Sequence, residues 1–95
     1  MWRATRAPIR DLYHGILQIG VGFHHWRNGN FHGASTLLGE GIERLRPLAP
    51  RCQGVDVAAL IADATAARER LLALGADRMR ELDVTDVAPQ IRFTA

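Results

Sequence analysis

The side chains of this chain best suited to chemistry are four histidines, one cysteine and ten carboxylates. A structural metal site needs about four such ligands to converge. The histidines His14, His24, His25 and His32 are the first to test. On one helix, usable ligand pairs stand three or four residues apart. His14 and His25 share a face but lie about 16 Å apart along an axis rising 1.5 Å per residue. His24 and His25 are adjacent and diverge. Only His25 (or His24) with His32, across a short turn, can converge, and no nearby carboxylate or thiol completes the set. No metal or other cofactor is assigned, and His25 and His32 stay as the pair to inspect.

Acid–base and nucleophilic arrangements are as sparse. Asp11 and His14, at i and i+3, could form a hydrogen-bonded pair, a weak catalytic signal that is more often structural. Ser35 and Thr36 lack a positioned base. Gly39-Glu40-Gly41 sits mid-helix with neither the strand nor the lysine of a phosphate loop. Cys52, beside Arg51 in a proline-rich loop, reads as an incidental thiol. No catalytic residue is assigned, and the reading leans away from an enzyme.

The elements that would position these side chains are legible. Pro8 suits the first position of a helix, where its missing N–H needs no partner, and the pattern predicts a helix over residues 8–27. Ile9, Leu12, Ile16, Ile19, Phe23 and Trp26 share one arc at about 100° per residue. Tyr13, Leu17 and Val21 carry the apolar surface round a second flank. So wide an apolar circumference predicts an inner helix with neighbours on more than one side. Arg27-Asn28-Gly29-Asn30 is the turn that follows. Gly29 ends the first helix in the left-handed conformation, and Asn30 caps a second over 31–46. Phe31, Ala34, Leu37, Leu38, Gly41, Ile42 and Leu45 form its stripe, and Glu40 and Arg44 make an i,i+4 pair. Pro47 and Pro50 open a loop through Gly54. Asp56 caps a third helix over 57–74, with Val55 and Leu60 placed as a staple, and Gly75 ends it. Residues 76–95 form a short helix near Asp77–Leu82 and then an extended tail from Val84 to Phe93. The expected architecture is all-α, a small up-down bundle of three helices in one domain spanning 1–95.

The remaining strip of the first helix holds Asp11, His14, Gly15, Gln18, Gly22 and His25. A helix-interior glycine costs about 1 kcal/mol relative to alanine, so Gly15 and Gly22 imply close approach of a neighbour. The strip is read as a docking groove with polar anchors, and Trp2 and Trp26 as core or interface anchors.

A series of motifs carries one family resemblance. It runs His14-Gly15-Ile16-Leu17-Gln18, Phe23-His24-His25, Arg27-Asn28-Gly29-Asn30, Gly33-Ala34 and Leu37-Leu38. Gly54-Val55-Asp56-Val57 follows at the start of the last long helix. In this order they resemble the small helical proteins known as domain of unknown function 309, over roughly residues 2–75. The resemblance implies an all-α bundle and brings no established activity. Family members carry a further N-terminal helix with a His-Glu pair that has no counterpart here. Trp2-Arg3 resembles the last remnant of that segment, which implies a late start codon or a shortened form. The Asp11–His14–Gln18–His25 strip would then be where the absent helix packs. A second copy of the chain or a partner helix would have to fill it, or a large apolar patch would stay exposed. The segment from Trp26 to Pro47 also resembles a tetratricopeptide helix pair, but only one copy is visible and such repeats need neighbours.

Composition bounds the remaining classes. The chain has 95 residues, 47% of them hydrophobic, and a net charge of +2 with twelve arginines and no lysine. The arginines alternate with acids, unlike the one-sided footprint of a nucleic-acid binder, so nucleic acid is not an expected partner. The stretch Gly15–Phe23 is far short of the roughly 20 apolar residues that span a bilayer. With one cysteine and no secretory leader, a cytoplasmic location is expected. The expected function is a helical interaction module, forming a homodimer or packing with a partner helix. The alternative is a metal-dependent or enzymatic protein whose site needs the N-terminal segment absent from this chain.

Overall fold

The computed structural model describes residues 2–89, with side chains from Ile9 onward. It is mainly helical: α1 Trp2–Arg27, α2 Phe31–Leu45, α3 Val57–Arg78 and a single turn, α4, at Val84–Val87. Short 3-10 turns at Arg46–Leu48 and Met79–Glu81 follow α2 and α3.

The turn between α1 and α2 forms as its residues dictate. Gly29 takes φ 77°, and the Asn30 side chain accepts from the Gly33 N–H at 2.9 Å, tying down a donor that no helical carbonyl can reach. Asp56 does the same for α3, accepting from the Ala59 N–H at 3.0 Å, while Val55 and Leu60 are both buried.

Three boundaries differ from the sequence expectation. α1 starts at Trp2, six residues before Pro8. Ala4, Arg6 and Ala7 are strong helix formers, and a proline this close to a helix start removes one hydrogen bond without ending the run. The expected loop contains a small antiparallel hairpin, β1 Arg51–Cys52 and β2 Val55–Asp56, with Cys52 opposite Val55. Its two turn residues, Gln53 and Gly54, have φ of 51° and 79°, the left-handed pair that a tight hairpin needs. At Gly75 (φ 74°, ψ 175°) α3 breaks as expected, and helical turns follow it to Arg78 and over Met79–Glu81. In the tail, Val84–Val87 is helical and not extended, because Asp83 caps it through the Thr85 N–H at 3.0 Å. The rest of the expected tail, 90–95, lies outside the described residues.

The packing order corrects a second expectation. α2 is the inner helix: α1 lies along it on one side and α3 packs on it from the other, and no comparable contact joins α1 to α3. The shared core contains Ile19, Phe23 and Trp26 from α1, Leu38, Ile42 and Leu45 from α2, and Leu60, Ala64 and Leu71 from α3. Met79, wholly buried, closes the base of this core, and its carbonyl accepts from Trp26 Nε1 at 3.0 Å. The Phe23 and Trp26 rings stack above it with centroids 5.8 Å apart. α1 is therefore an outer helix covered on one side only.

Candidate interaction surface

The two glycines read as a docking strip do meet a neighbour, and it is α2 of the same chain. A Cβ at Gly15 would stand 2.5 Å from Leu45 Cδ2, and one at Gly22 would stand 3.0 Å from Leu38 Cγ. From the other side, a Cβ at Gly41 would meet the Gly15 carbonyl oxygen at 2.9 Å. Gly15 and Gly41 thus form the crossing point of two backbones in near contact. The groove reading is corrected here: the strip is filled internally, by α2, which the four-residue turn folds back alongside α1.

The polar residues of the strip serve that same contact. Arg44 Nε donates to Gln18 Oε1 at 3.0 Å, and its Nη1 stands 3.4 Å from Asp11 Oδ1. Gln18 Nε2 in turn donates to Glu40 at 3.3 Å. This ladder replaces the expected Glu40–Arg44 pair within α2 and the expected Asp11–His14 pair within α1, since Arg44 reaches across to α1 instead. It borders an open cleft of about 1020 Å3 whose lining also includes Arg68. Arg68 is committed elsewhere, donating to the Ser35 carbonyl at 2.8 Å.

The histidines do not assemble. His25 Nδ1 lies 3.3 Å from the Asn30 amide nitrogen, and His24 Nε2 lies 3.1 Å from that of Asn28. His14 and His32 are exposed, His14 beside the Tyr13 ring. Among the described residues, no three His, Cys, Asp or Glu side chains stand together in a way that could hold a metal ion. Ser35, buried, donates its hydroxyl to the His32 carbonyl and faces no base. Trp26 is a core residue and not a surface anchor. Trp2 stands in the first turn of α1, and its side chain lies outside what the structure describes.

Near the chain's end, Asp83 is held below the usual carboxylate range by hydrogen bonds from the Thr85 backbone and hydroxyl. Glu81 is lowered by its hydrogen bonds from Arg78, whose own guanidinium is raised in return. These contacts are local and exposed, and they pin the last turns.

The surface that remains open is the opposite side of α1. Ile9, Tyr13, Leu17 and Val21 recur every fourth residue and are 45%, 64%, 49% and 36% exposed. Four such residues in a row make a continuous ridge along the helix. The sequence reading found three of them as a second apolar flank but supposed that neighbours within the fold would cover them. Gly20 lies beside Leu17 and Val21. A Cβ added to it would meet nothing within 4 Å. Every other glycine in the chain touches a neighbouring element or has a positive φ; Gly20 does neither. Among the described side chains, the charged residues on this side, Arg10 and Arg27, are both cationic; the one acid of α1, Asp11, turns towards Arg44.

Comparison with known proteins agrees with the resemblance over part of the chain. Residues 1–37 match the family model described as domain of unknown function, DUF309. The match takes in α1, the turn and the first two turns of α2, where the His14–Gln18, Phe23–His25 and Arg27–Asn30 motifs lie. Gly33-Ala34 lies inside it as well, Leu37-Leu38 straddles its end, and Gly54-Val55-Asp56-Val57 falls outside it. Neither the curated proteins nor the solved structures yielded a match. Among the described residues, no helix is long and apolar enough to cross a membrane.

Proposed function

We propose that this chain is a helical interaction module whose working surface is the outer face of α1. The observation that carries the reading is the exposed row Ile9–Tyr13–Leu17–Val21 beside Gly20. Large apolar side chains scattered singly on a surface need no explanation, but a ridge of four in register is an unpartnered helix face. The α1–α2–α3 core is complete without it, so these side chains contribute little to holding the fold and are free to serve association.

This reading makes stability and association separable. In dilute protein, about 1 µM, the double variant Tyr13→Gln/Leu17→Gln retains its fold, with a denaturation midpoint corresponding to a change within about 0.5 kcal/mol, as for ordinary surface substitutions. Low concentration keeps any self-association from adding to apparent stability. A loss of more than about 2 kcal/mol would mean that the row supports the fold itself, and the reading would fall.

A further inference from the structure

We infer that residues 76–89 are a hinged strap. Gly75 switches it between the closed state of this structure and an open one in which α3 runs straight. Helix stands on both sides of Gly75, over 57–74 and again to Arg78 and Met79–Glu81. Ala76, Arg78, Met79, Arg80, Glu81 and Leu82 are strong helix formers. Gly75 is the interruption, with φ 74° and ψ 175°. That ψ lies outside the left-handed helical region of an ordinary helix end, in a region essentially closed to every residue but glycine. A Cβ there would meet nothing within 4 Å, so the glycine answers to its backbone angles and not to a neighbour. Glycine can take helical angles as well, and the two helical pieces then join into one rod.

The kink is what returns the strap to the bundle. α3 runs back along α2, and Arg68 donates to the carbonyl of Ser35, about one turn into α2. Gly75 comes about two turns later, so α3 has passed the start of α2 before it bends. A straight continuation carries Met79 away from the core; the bend sets it against Trp26, whose Nε1 donates to the Met79 carbonyl at 3.0 Å. Of residues 76–89, Met79 alone is buried. Leu82, Val84 and Val87 are partly buried against the core. A second bond reaches the body, from Arg80 Nη2 to the Asn28 carbonyl at 3.3 Å. The Arg78–Glu81 and Thr85–Asp83 contacts join strap residues to one another and travel with the strap.

A unit anchored by one buried side chain opens more readily than the helices beside it, each of which buries several. Closed, the strap covers the Phe23–Trp26 base of the core. Open, it uncovers the Trp26 indole N–H and the apolar floor beneath Met79. Alanine at position 75 separates the two states. It strains the closed one, where φ is positive. Its helix preference over glycine, worth about 5-fold, is realised only in the open one.

The Trp26 indole N–H reports the strap directly, because it exchanges with solvent deuterium only when Met79 leaves it. Nuclear magnetic resonance of the full chain follows it beside the slowest amides of α2, with Trp2→Phe used to assign the two indoles. After correction for intrinsic rates, the indole exchanges at least about 10-fold faster than those amides. It is nearly insensitive to urea up to about 1 M, while the α2 amides accelerate about 5-fold or more per molar, as global unfolding requires. Equal rates with equal urea dependence overturn the inference. Gly75→Ala accelerates the indole about 5-fold more than it accelerates the α2 amides, and residues 76–81 keep helical Cα chemical shifts. The same acceleration of both means that position 75 is a fixed turn, and coil shifts over 76–81 mean plain fraying of the chain end. Either result overturns the inference. Where Gly75→Ala does not fold, the rates and urea dependence of the unsubstituted chain decide.

Discussion

The same substitution, glycine to alanine, should have opposite effects at two positions of this chain, and the sign rests entirely on the α1–α2 crossing. At Gly20 the new methyl meets nothing within 4 Å. Alanine there removes only the conformational penalty of a helix-interior glycine, so Gly20→Ala should stabilise the monomer by about 1 kcal/mol. At Gly41 the identical propensity gain is available, but the methyl would stand 2.7 Å from Ile19 Cγ1 and 2.9 Å from the Gly15 carbonyl oxygen. Ile19 has other rotamers; the Gly15 backbone has no such freedom. The helices must separate, and their separation also loosens Leu45 over Gly15 and Leu38 over Gly22. Overpacking of this kind costs about 1–3 kcal/mol, and a backbone obstacle belongs at the upper end. After the propensity gain of about 1 kcal/mol, Gly41→Ala should be destabilised by about 2 kcal/mol. For a domain of this size that lowers the melting temperature by about 8–16 °C, while Gly20→Ala raises it by about 4–8 °C. Urea denaturation followed by far-ultraviolet circular dichroism, in protein dilute enough to be monomeric, reads both. A Gly41→Ala chain as stable as the wild type would refute the close crossing and with it the assignment of the glycine strip to α2.

Other contacts yield further expectations. Trp26→Phe keeps the ring stack but strands the buried Met79 carbonyl that Nε1 now satisfies. It should cost about 1–3 kcal/mol in denaturant titrations, and an unchanged midpoint would mean that another donor or water replaces the bond. Asn30→Ala removes the side-chain acceptor for the Gly33 N–H and should cost about 1 kcal/mol; Asn30→Asp should retain most of the stability, and equal losses in both variants would count against the cap. Asp83 and Glu81 titrate lower when folded than their ordinary values of 3.8 and 4.5. The folded form therefore binds fewer protons, so these contacts are fully present above those values and are lost as pH falls through the depressed ones. Nuclear magnetic resonance should show the Thr85 amide signal moving on acidification into that range, and Asp83→Asn should abolish the shift. A Thr85 signal insensitive to pH, with the wild-type Asp83 in place, would contradict the hydrogen bond.

The helical hairpin was legible because its signals are local. Gly29 and Asn30 act on the N–H and carbonyl groups of their own neighbours, so their roles follow from the order of residues alone. The same holds for Asp56 as a cap and for Gly75 as a break. The hairpin at 51–56 was missed because its strands are only two residues long, too short for any alternation to show. Gly15 and Gly22 announced a close neighbour correctly, since their cost in a helix demands one. Which neighbour it would be was a different matter. Tyr13, Leu17 and Val21 show the same divide: one-dimensional spacing marks them as an apolar flank but cannot say whether the chain itself covers it.

What the order of residues determined by itself was therefore every feature set within about one helical turn: the caps, the breaks, and the apolar and notched faces of each helix. Only the tertiary structure decided which face met which. A four-residue turn forces α1 and α2 side by side but leaves open their rotation about their own axes. That rotation is set by summed packing over the whole length of both helices, where Gly15 and Gly41 allow the backbones closest together. Choosing that solution buried the glycine strip, made α2 the inner helix, and turned Ile9, Tyr13, Leu17 and Val21 outward.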